Sequence, residues 1–305
     1  MRNIPRREFR QHEERSKQLR LFAVSYLRKT CKTKEPALLL SAGVDSHFCL
    51  FAALHAGLNP TIYSFTLADR ESRDFVCARA TAKLFDLTFV PIILPTDVQH
   101  LTKYVKHLFK INPGIVLSKA TVECLWPFLS AMKAVYKDGH RDMISGMGGD
   151  AWFATIRSHK KAWEAGRFEK LLAAFRKTGI AYLKSTDPYD LDDGRDPQSI
   201  MWDVWCDKYT KGLDVITPLE HPKAFDILDG MDPFAEGNKP IQKAPLRLAF
   251  WDSFQHAKAN VKIHQSYQSG DSGIADHFEI LLDTPLNTGN WKTPKGIYNQ
   301  LLRDS

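Results

Sequence analysis

The sequence predicts an α/β protein: a mostly parallel, doubly wound sheet flanked by helices, followed by a mainly helical C-terminal part. Three observations predict it. Short apolar runs, "ALLL" at 37–40, "TIYSFTL" at 61–67 and "LTFVPIIL" at 87–94, alternate with segments of helical period, the pattern of a parallel sheet covered on both faces. Two strand ends, at Ser41 and Ser145, run into glycine-containing turns that also carry aspartate. The chain has 305 residues, 44% of them hydrophobic, enough to bury the core of one large or two modest domains.

Taken in order, residues 1–15 form a basic arm, and Leu19, Phe22, Ala23, Tyr26 and Leu27 then follow the spacing of an amphipathic helix. The linker "CKTKEP" leads into the first strand. After "SAGVDS", Phe48, Leu50, Phe51 and Leu54 continue a helix that stops near Gly57. A turn and the second strand follow, then a helix with Phe75, Ala78, Ala82 and Phe85 on one side. Pro91 in the third run argues for a sheet edge or a strand end, because proline donates no ladder hydrogen bond. Residues 121–137 read as a helix in which Pro127 predicts a kink or a boundary. Met143–Ser145 is a short strand ending in Gly146, Gly148 and Gly149. The expected division is an arm over 1–15, an α/β core over 16–155 and a mainly helical part over 156–305, with the turn-rich "STDPYDLDDGRDP" inside the last.

The net charge of +7 is local. Residues 1–35 hold eleven Lys and Arg against four Glu, so the rest of the chain balances. The arm is suited to an acidic partner or nucleic acid, and equally to being a solvated helical surface. The five cysteines form no C-x-x-C pair, which argues against a disulfide framework or a zinc knuckle. No run approaches the length of a membrane span and no secretory signal is evident, so a cytoplasmic protein is expected.

A strand end joined to a helix start leaves several backbone N–H groups facing one spot, which attracts anions. In Ser41-Ala42-Gly43-Val44-Asp45-Ser46 the small residues admit a phosphate, the serine hydroxyls donate to it, and Asp45 can hold a bridging metal ion. No Walker loop is present. Gly146, Gly148 and Ala151 satisfy G-x-G-x-x-[GA], but the acidic residue expected about 20 positions later at a strand end is missing.

The loop at 41–46 resembles S-G-G-x-D-S, the pyrophosphate loop of the ATP pyrophosphatase superfamily, with Ala42 in place of the first glycine. The segment Ser145-Gly146-Met147-Gly148-Gly149-Asp150-Ala151-Trp152-Phe153 is similar to the S-G-E-G-A-D-E-L-F of asparagine synthetases and of the β-lactam and carbapenam synthetases. "KAPLRLAFWDSF" at 243–254 resembles their K-x-x-L-R-x-A-F segment, and "LRLFAVSYL" the helix that opens their synthetase domain. The resemblance spans roughly residues 16–270 and implies an ATP-dependent, amide-forming ligase. A carboxylate would attack the α-phosphorus of ATP to give an acyl-adenylate and pyrophosphate, and an amine or ammonia would then take the acyl group. It further implies Mg²⁺ held by Asp45 and Asp150, a loop of residues 41–46 with Gly146, Gly148 and Gly149 binding the nucleotide, and Lys243, supported by Arg247, stabilising charge at the α-phosphate.

Two departures qualify the resemblance. The family's proton-handling glutamate is Met147 here, and the next glutamate is Ala151; a thioether cannot accept that proton. The glutamine-hydrolysing domain is also missing, so nitrogen would come from solution, from an amine-bearing substrate or from a separate amidotransferase partner. Two alternatives are an RNA- or nucleobase-modifying ATP pyrophosphatase, disfavoured by the lack of paired catalytic cysteines, and a non-catalytic nucleotide-binding protein that has lost turnover. Histidines show no metal-ligand spacing, and His47 reads as a helix-start side chain. The aromatic stripes "LWPF" and "MWDVW" read as core.

Overall fold

The computed structural model describes residues 12–111, 119–149, 209–228, 243–262 and 272–283. The elements in chain order are α1 (Glu13–Thr30), β1 (Ala37–Leu39), α2 (Val44–His55), β2 (Thr61–Leu67), α3 (Arg73–Leu84), β3 (Phe89–Leu94), α4 (Val98–Ile111), α5 (Lys119–Lys137), β4 (Asp142–Ile144) and β5 (Asp214–Ile216). A 3-10 turn (Pro218–Glu220) follows, then α6 (Pro222–Leu228), α7 (Ala244–Ala249), α8 (Trp251–His256) and α9 (Ile274–Asp283). The first eleven residues of the basic arm, the acidic stretch "STDPYDLDDGRDP", the "MWDVW" stripe, Cys206 and the tail after residue 283 lie outside the described residues.

All pairings in the five-stranded sheet are parallel, and the strand order is β3-β2-β1-β4-β5. The fold is therefore the doubly wound α/β architecture expected from the alternation. Side chains alternate across the sheet with a period of two, as strand geometry requires. Leu38, Ile62, Ile144 and Ile216 enter one core, with α1, α2, α7 and α8 contributing Leu19, Phe51, Leu246 and Phe254. Ala37, Tyr63 and Met143 enter the other, with α4, α5 and α9 contributing Leu101, Trp126 and Phe278. The Trp126 of "LWPF" is thus core, as read.

Helix α2 is nearly all buried from Val44 to Ala53. Its Phe51 ring lies 4.8 Å from Phe254 at 86°, and Phe48 lies 5.3 Å from Phe250, edge-on geometries that favour aromatic pairs. These contacts bind the first helix after β1 to the C-terminal helices. α3 starts where its sequence says it should: the Ser72 hydroxyl accepts from Phe75 N–H at 3.2 Å, satisfying one of the free amides of the first turn.

β3 is an edge strand, so Pro91 sits where the missing donor is tolerated. Pro127 is different: α5 runs from Lys119 to Lys137 with the proline inside it. Leu125, Trp126, Leu129, Met132 and Val135 on the same helix are buried in one core, so tertiary packing outweighs the local cost of the proline. β5 was not anticipated. It lies beyond residue 155 and extends the sheet by pairing with β4 from Asp142↔Asp214 to Ile144↔Ile216.

At the amino edge of the sheet, Asp142 is 1% exposed, and its carboxylate accepts the backbone N–H of Lys32 at 2.5 Å and of Thr33 at 3.1 Å. This fixes the linker between α1 and β1. Burial, and secondarily the negative charge of Asp142, push the neighbouring Cys31 thiol up to about 12.

Candidate active site

The strand order reverses between β1 and β4: β1, β2 and β3 spread one way, β5 the other. In open α/β sheets ligands bind at the carboxyl ends of the strands beside such a reversal. Both glycine-rich turns lie there. Gly43 is the N-cap of α2, so the loop 41–46 leaves the central strand and enters the helix directly.

The loop is held in one shape by its own side chains and its neighbours. Ser41 N–H donates to Ser46 Oγ at 3.2 Å, the two hydroxyl oxygens are 3.1 Å apart, and Gly43 N–H donates to Ser41 Oγ at 3.0 Å. Ala42 is gripped on both sides: its N–H donates to Asp74 Oδ1 of α3 at 3.1 Å, and its carbonyl accepts from Lys262 N–H at 2.8 Å. The Gly43 carbonyl accepts from Ser46 Oγ at 3.2 Å and from His47 N–H at 3.3 Å, and lies 2.9 Å from His47 Nδ1.

The second turn packs straight onto the first. A Cβ at Gly146 would sit 2.6 Å from Ser46 N and 2.7 Å from the Asp45 carbonyl carbon, and one at Gly149 would fall inside the Asp45 carboxylate. Glycine is required at both positions by close approach. Gly148 has φ +90°, and a Cβ there would lie 2.5 Å from Glu220 Cγ of the turn after β5. Cys49 Sγ of α2 lies 3.6 Å from the Ser145 carbonyl oxygen, a further tie between the two strand ends. Met147 is partly buried against the core that contains Leu39 and Phe65.

Lys243 closes the site. Its ammonium pairs with Asp45 Oδ2, with the lysine side chain 2% exposed and the aspartate 15%. The residue adopts φ 61°, ψ 45°, a left-handed conformation that costs a non-glycine residue about 1–2 kcal/mol and that concentrates at functional sites. One turn later Arg247 is partly buried, its guanidinium 5.7 Å from the centre of the Phe254 ring. Burial lowers its pKa to about 10, against the pull of Asp45, so it remains a cation at neutral pH. Asp45, Lys243 and Arg247 therefore lie within electrostatic reach of one another at this end of the sheet.

The sequence-derived residues Ser41, Ala42, Gly43, Val44, Asp45, Ser46, Gly146, Gly148, Gly149, Lys243 and Arg247 thus come together at one end of the sheet. Asp150 and Ala151 lie outside the described residues. Among the described residues no cluster of three or more His, Cys, Asp or Glu is found. Asp45 supplies carboxylate oxygens of the kind Mg²⁺ prefers. Sequence reasoning missed three contributors. His47 is fully buried, and burial lowers its pKa to about 4. Asp74 sits in the first turn of a helix, where acidic residues are common for reasons of helix stability alone. Lys262 contributes only its backbone, which no sequence motif can signal.

A doubly wound sheet with two interlocked glycine turns at its reversal point, and a cationic pair set against an aspartate, is an arrangement suited to an anionic ligand. The family model described as asparagine synthase matches residues 20–225, and the chain belongs to that family. The family consists of ATP-dependent, amide-forming ligases, and the chain is an ATP-dependent synthetase in that general sense. A comparison with curated proteins returned no match. Among the described residues no helix is long and apolar enough to cross a membrane.

Proposed function

We propose that the protein adenylates a carboxylate substrate with ATP, releasing pyrophosphate, and passes the acyl group to an amine other than free ammonia. The observation that carries the proposal is the buried Lys243–Asp45 pair at the junction of the two turns, beside a Met147 where the family has glutamate. The phosphate side is intact and the acceptor side is altered.

In this reading a carboxylate oxygen attacks the α-phosphorus, the bond to the β-phosphate bridging oxygen breaks, and the electron pair leaves with pyrophosphate. Lys243 and Arg247 place positive charge where the phosphorus becomes crowded and negative, fixed in advance and shielded from water. The α2 amino terminus and the loop hydroxyls orient the leaving group. Asp45, with Asp150 as a second ligand, would hold Mg²⁺, whose chemical contribution is to offset the charge of pyrophosphate. In the second half-reaction the amine lone pair attacks the acyl carbon and AMP departs. Met147 cannot take the amine proton. An amine that arrives as the free base still sheds one proton as the amide forms; the departing AMP phosphate or a basic group on the acceptor itself can take it, so no protein base is needed there, and a thioether wall suits a bulkier acceptor than ammonia.

The test is incubation with ATP labelled at the α-phosphate and pools of carboxylates, amines, amino acids and nucleosides, followed by analysis for AMP, pyrophosphate, new amides and modified nucleosides. AMP with a new amide is expected. ADP as product would end the adenylation mechanism, and efficient asparagine formation from aspartate and ammonia would overturn the acceptor assignment. Pyrophosphate release with a modified nucleoside as product would favour the nucleobase-modifying alternative, and no release from any pool would favour the non-catalytic one.

A further inference from the structure

His47 directly follows the loop 41–46, in the first turns of α2 as its reading as a helix-start side chain implied, and it is fully buried. Both ring nitrogens have partners. Nδ1 lies 2.9 Å from the Gly43 carbonyl oxygen, and Nε2 lies 3.1 Å from Thr81 Oγ1 on α3. A carbonyl can only accept, so Nδ1 carries the proton. Nε2 is then the acceptor, and the Thr81 hydroxyl donates to it. The imidazole is thus a rigid strut between α3 and the loop, packed 5.9 Å from the Phe51 ring.

The atom it grips matters. The peptide unit is planar and trans, so the Gly43 carbonyl and the Val44 N–H point in opposite directions. Drawing the carbonyl down onto the first turn of α2 aims the Val44 N–H outward from the helix terminus. Three donors converge on that oxygen, and the imidazole is the nearest of them, at 2.9 Å against 3.2 Å for Ser46 Oγ and 3.3 Å for His47 N. The N–H groups of Ser41, Ala42 and Gly43 are directed to Ser46, Asp74 and Ser41 within the protein. The loop amide left to meet an incoming anion is that of Val44, the first of α2, whose orientation follows from the Gly43 carbonyl.

We infer that His47 is a positioning residue for pyrophosphate recognition: through its Nδ1–H bond to Gly43 it sets the direction of the Val44 amide, and Thr81 sets the ring. The inference rests on reading the loop as a nucleotide site.

Asparagine and glutamine at position 47 separate its two bonds, since the Asn amide nitrogen overlays Nδ1 and the Gln amide nitrogen overlays Nε2. Calorimetry with MgATP, with inorganic pyrophosphate and with AMP provides the readout. His47→Gln is expected to weaken MgATP and pyrophosphate about tenfold, the equivalent of one hydrogen bond, while AMP changes less than twofold. His47→Asn is expected to restore most of that loss, and Thr81→Val to give a smaller loss of the same kind. The ¹⁵N shifts of the wild-type imidazole, assigned by comparison with His47→Asn, should report protonated Nδ1 and bare Nε2 with no ligand present. Equal losses for Asn and Gln, unchanged pyrophosphate affinity, or an Nε2–H tautomer would each overturn the inference while leaving the nucleotide site intact. A wild-type protein that binds neither MgATP nor pyrophosphate would remove the nucleotide reading, and this inference with it.

Discussion

Lys243 reaches back 198 residues to pair with Asp45, so a late segment of the sequence completes a loop made by an early one. Both side chains are nearly closed to water, where losing one partner of an ion pair costs more than the pair contributes. Asp45→Asn and Lys243→Met are each expected to lower pyrophosphate release from ATP about 100-fold or more, the scale seen on deleting one electrostatic stabiliser. A double-mutant cycle on urea stability should return a coupling of about 0.5–3 kcal/mol. A coupling indistinguishable from zero would mean the two side chains do not sense each other.

The glycines of the second turn give a steric prediction. Gly146→Ala places a methyl 2.6 Å from the backbone nitrogen of Ser46, which has no rotamer through which to yield. A stability loss of about 1–3 kcal/mol is expected, typical of an overpacked site, along with MgATP binding at least tenfold weaker. Gly149→Ala should act mainly on the Asp45 carboxylate, so its binding defect should exceed its loss in thermal midpoint. Wild-type affinity in both variants would show that the turns do not meet.

Phe51 is fully buried between Phe250 and Phe254. Phe51→Ala should cost about 3–5 kcal/mol in urea unfolding. Because Phe250 directly follows the helix that Lys243 caps and that carries Arg247, nucleotide affinity should fall in the surviving folded fraction, even though residue 51 is remote from those two cations in sequence.

Cys31 supplies the pH prediction. Its thiol pKa is raised from about 9 in the unfolded chain to about 12 in the folded one. The folded state therefore keeps its proton over a range where the unfolded chain loses it, and this contribution to stability is complete below pH 9 and lost as pH rises toward 12. Cys31 should accordingly alkylate far more slowly at pH 8 in the native protein than in urea, since only the thiolate reacts. Equal labelling rates in the two states would contradict the burial.

What was legible in the sequence was local. The loop 41–46 and the "SGMGGD" turn carry their meaning in consecutive residues, and the three strands before them announce themselves by apolar runs between helical segments. Their meeting at one end of the sheet followed from the rule for parallel sheets. β5 escaped notice because Asp214, Val215 and Ile216 make a three-residue strand, too short to show a period. Pro127 does not mark a boundary, because the cost of a proline is local, while the burial that outweighs it comes from residues distant in sequence. His47 and Asp74 were unreadable for a related reason: each acts through a partner on another element, and nothing in their neighbours marks that partner.

α1 packs against α7, the short helix that starts at Lys243. Part of the cover over the inward face of α1 therefore comes from a segment made much later, and about two hundred residues separate Asp45 from the lysine it pairs with. A chain cut short of residue 243 would carry the loop 41–46 with the Asp45 carboxylate deprived of that cation.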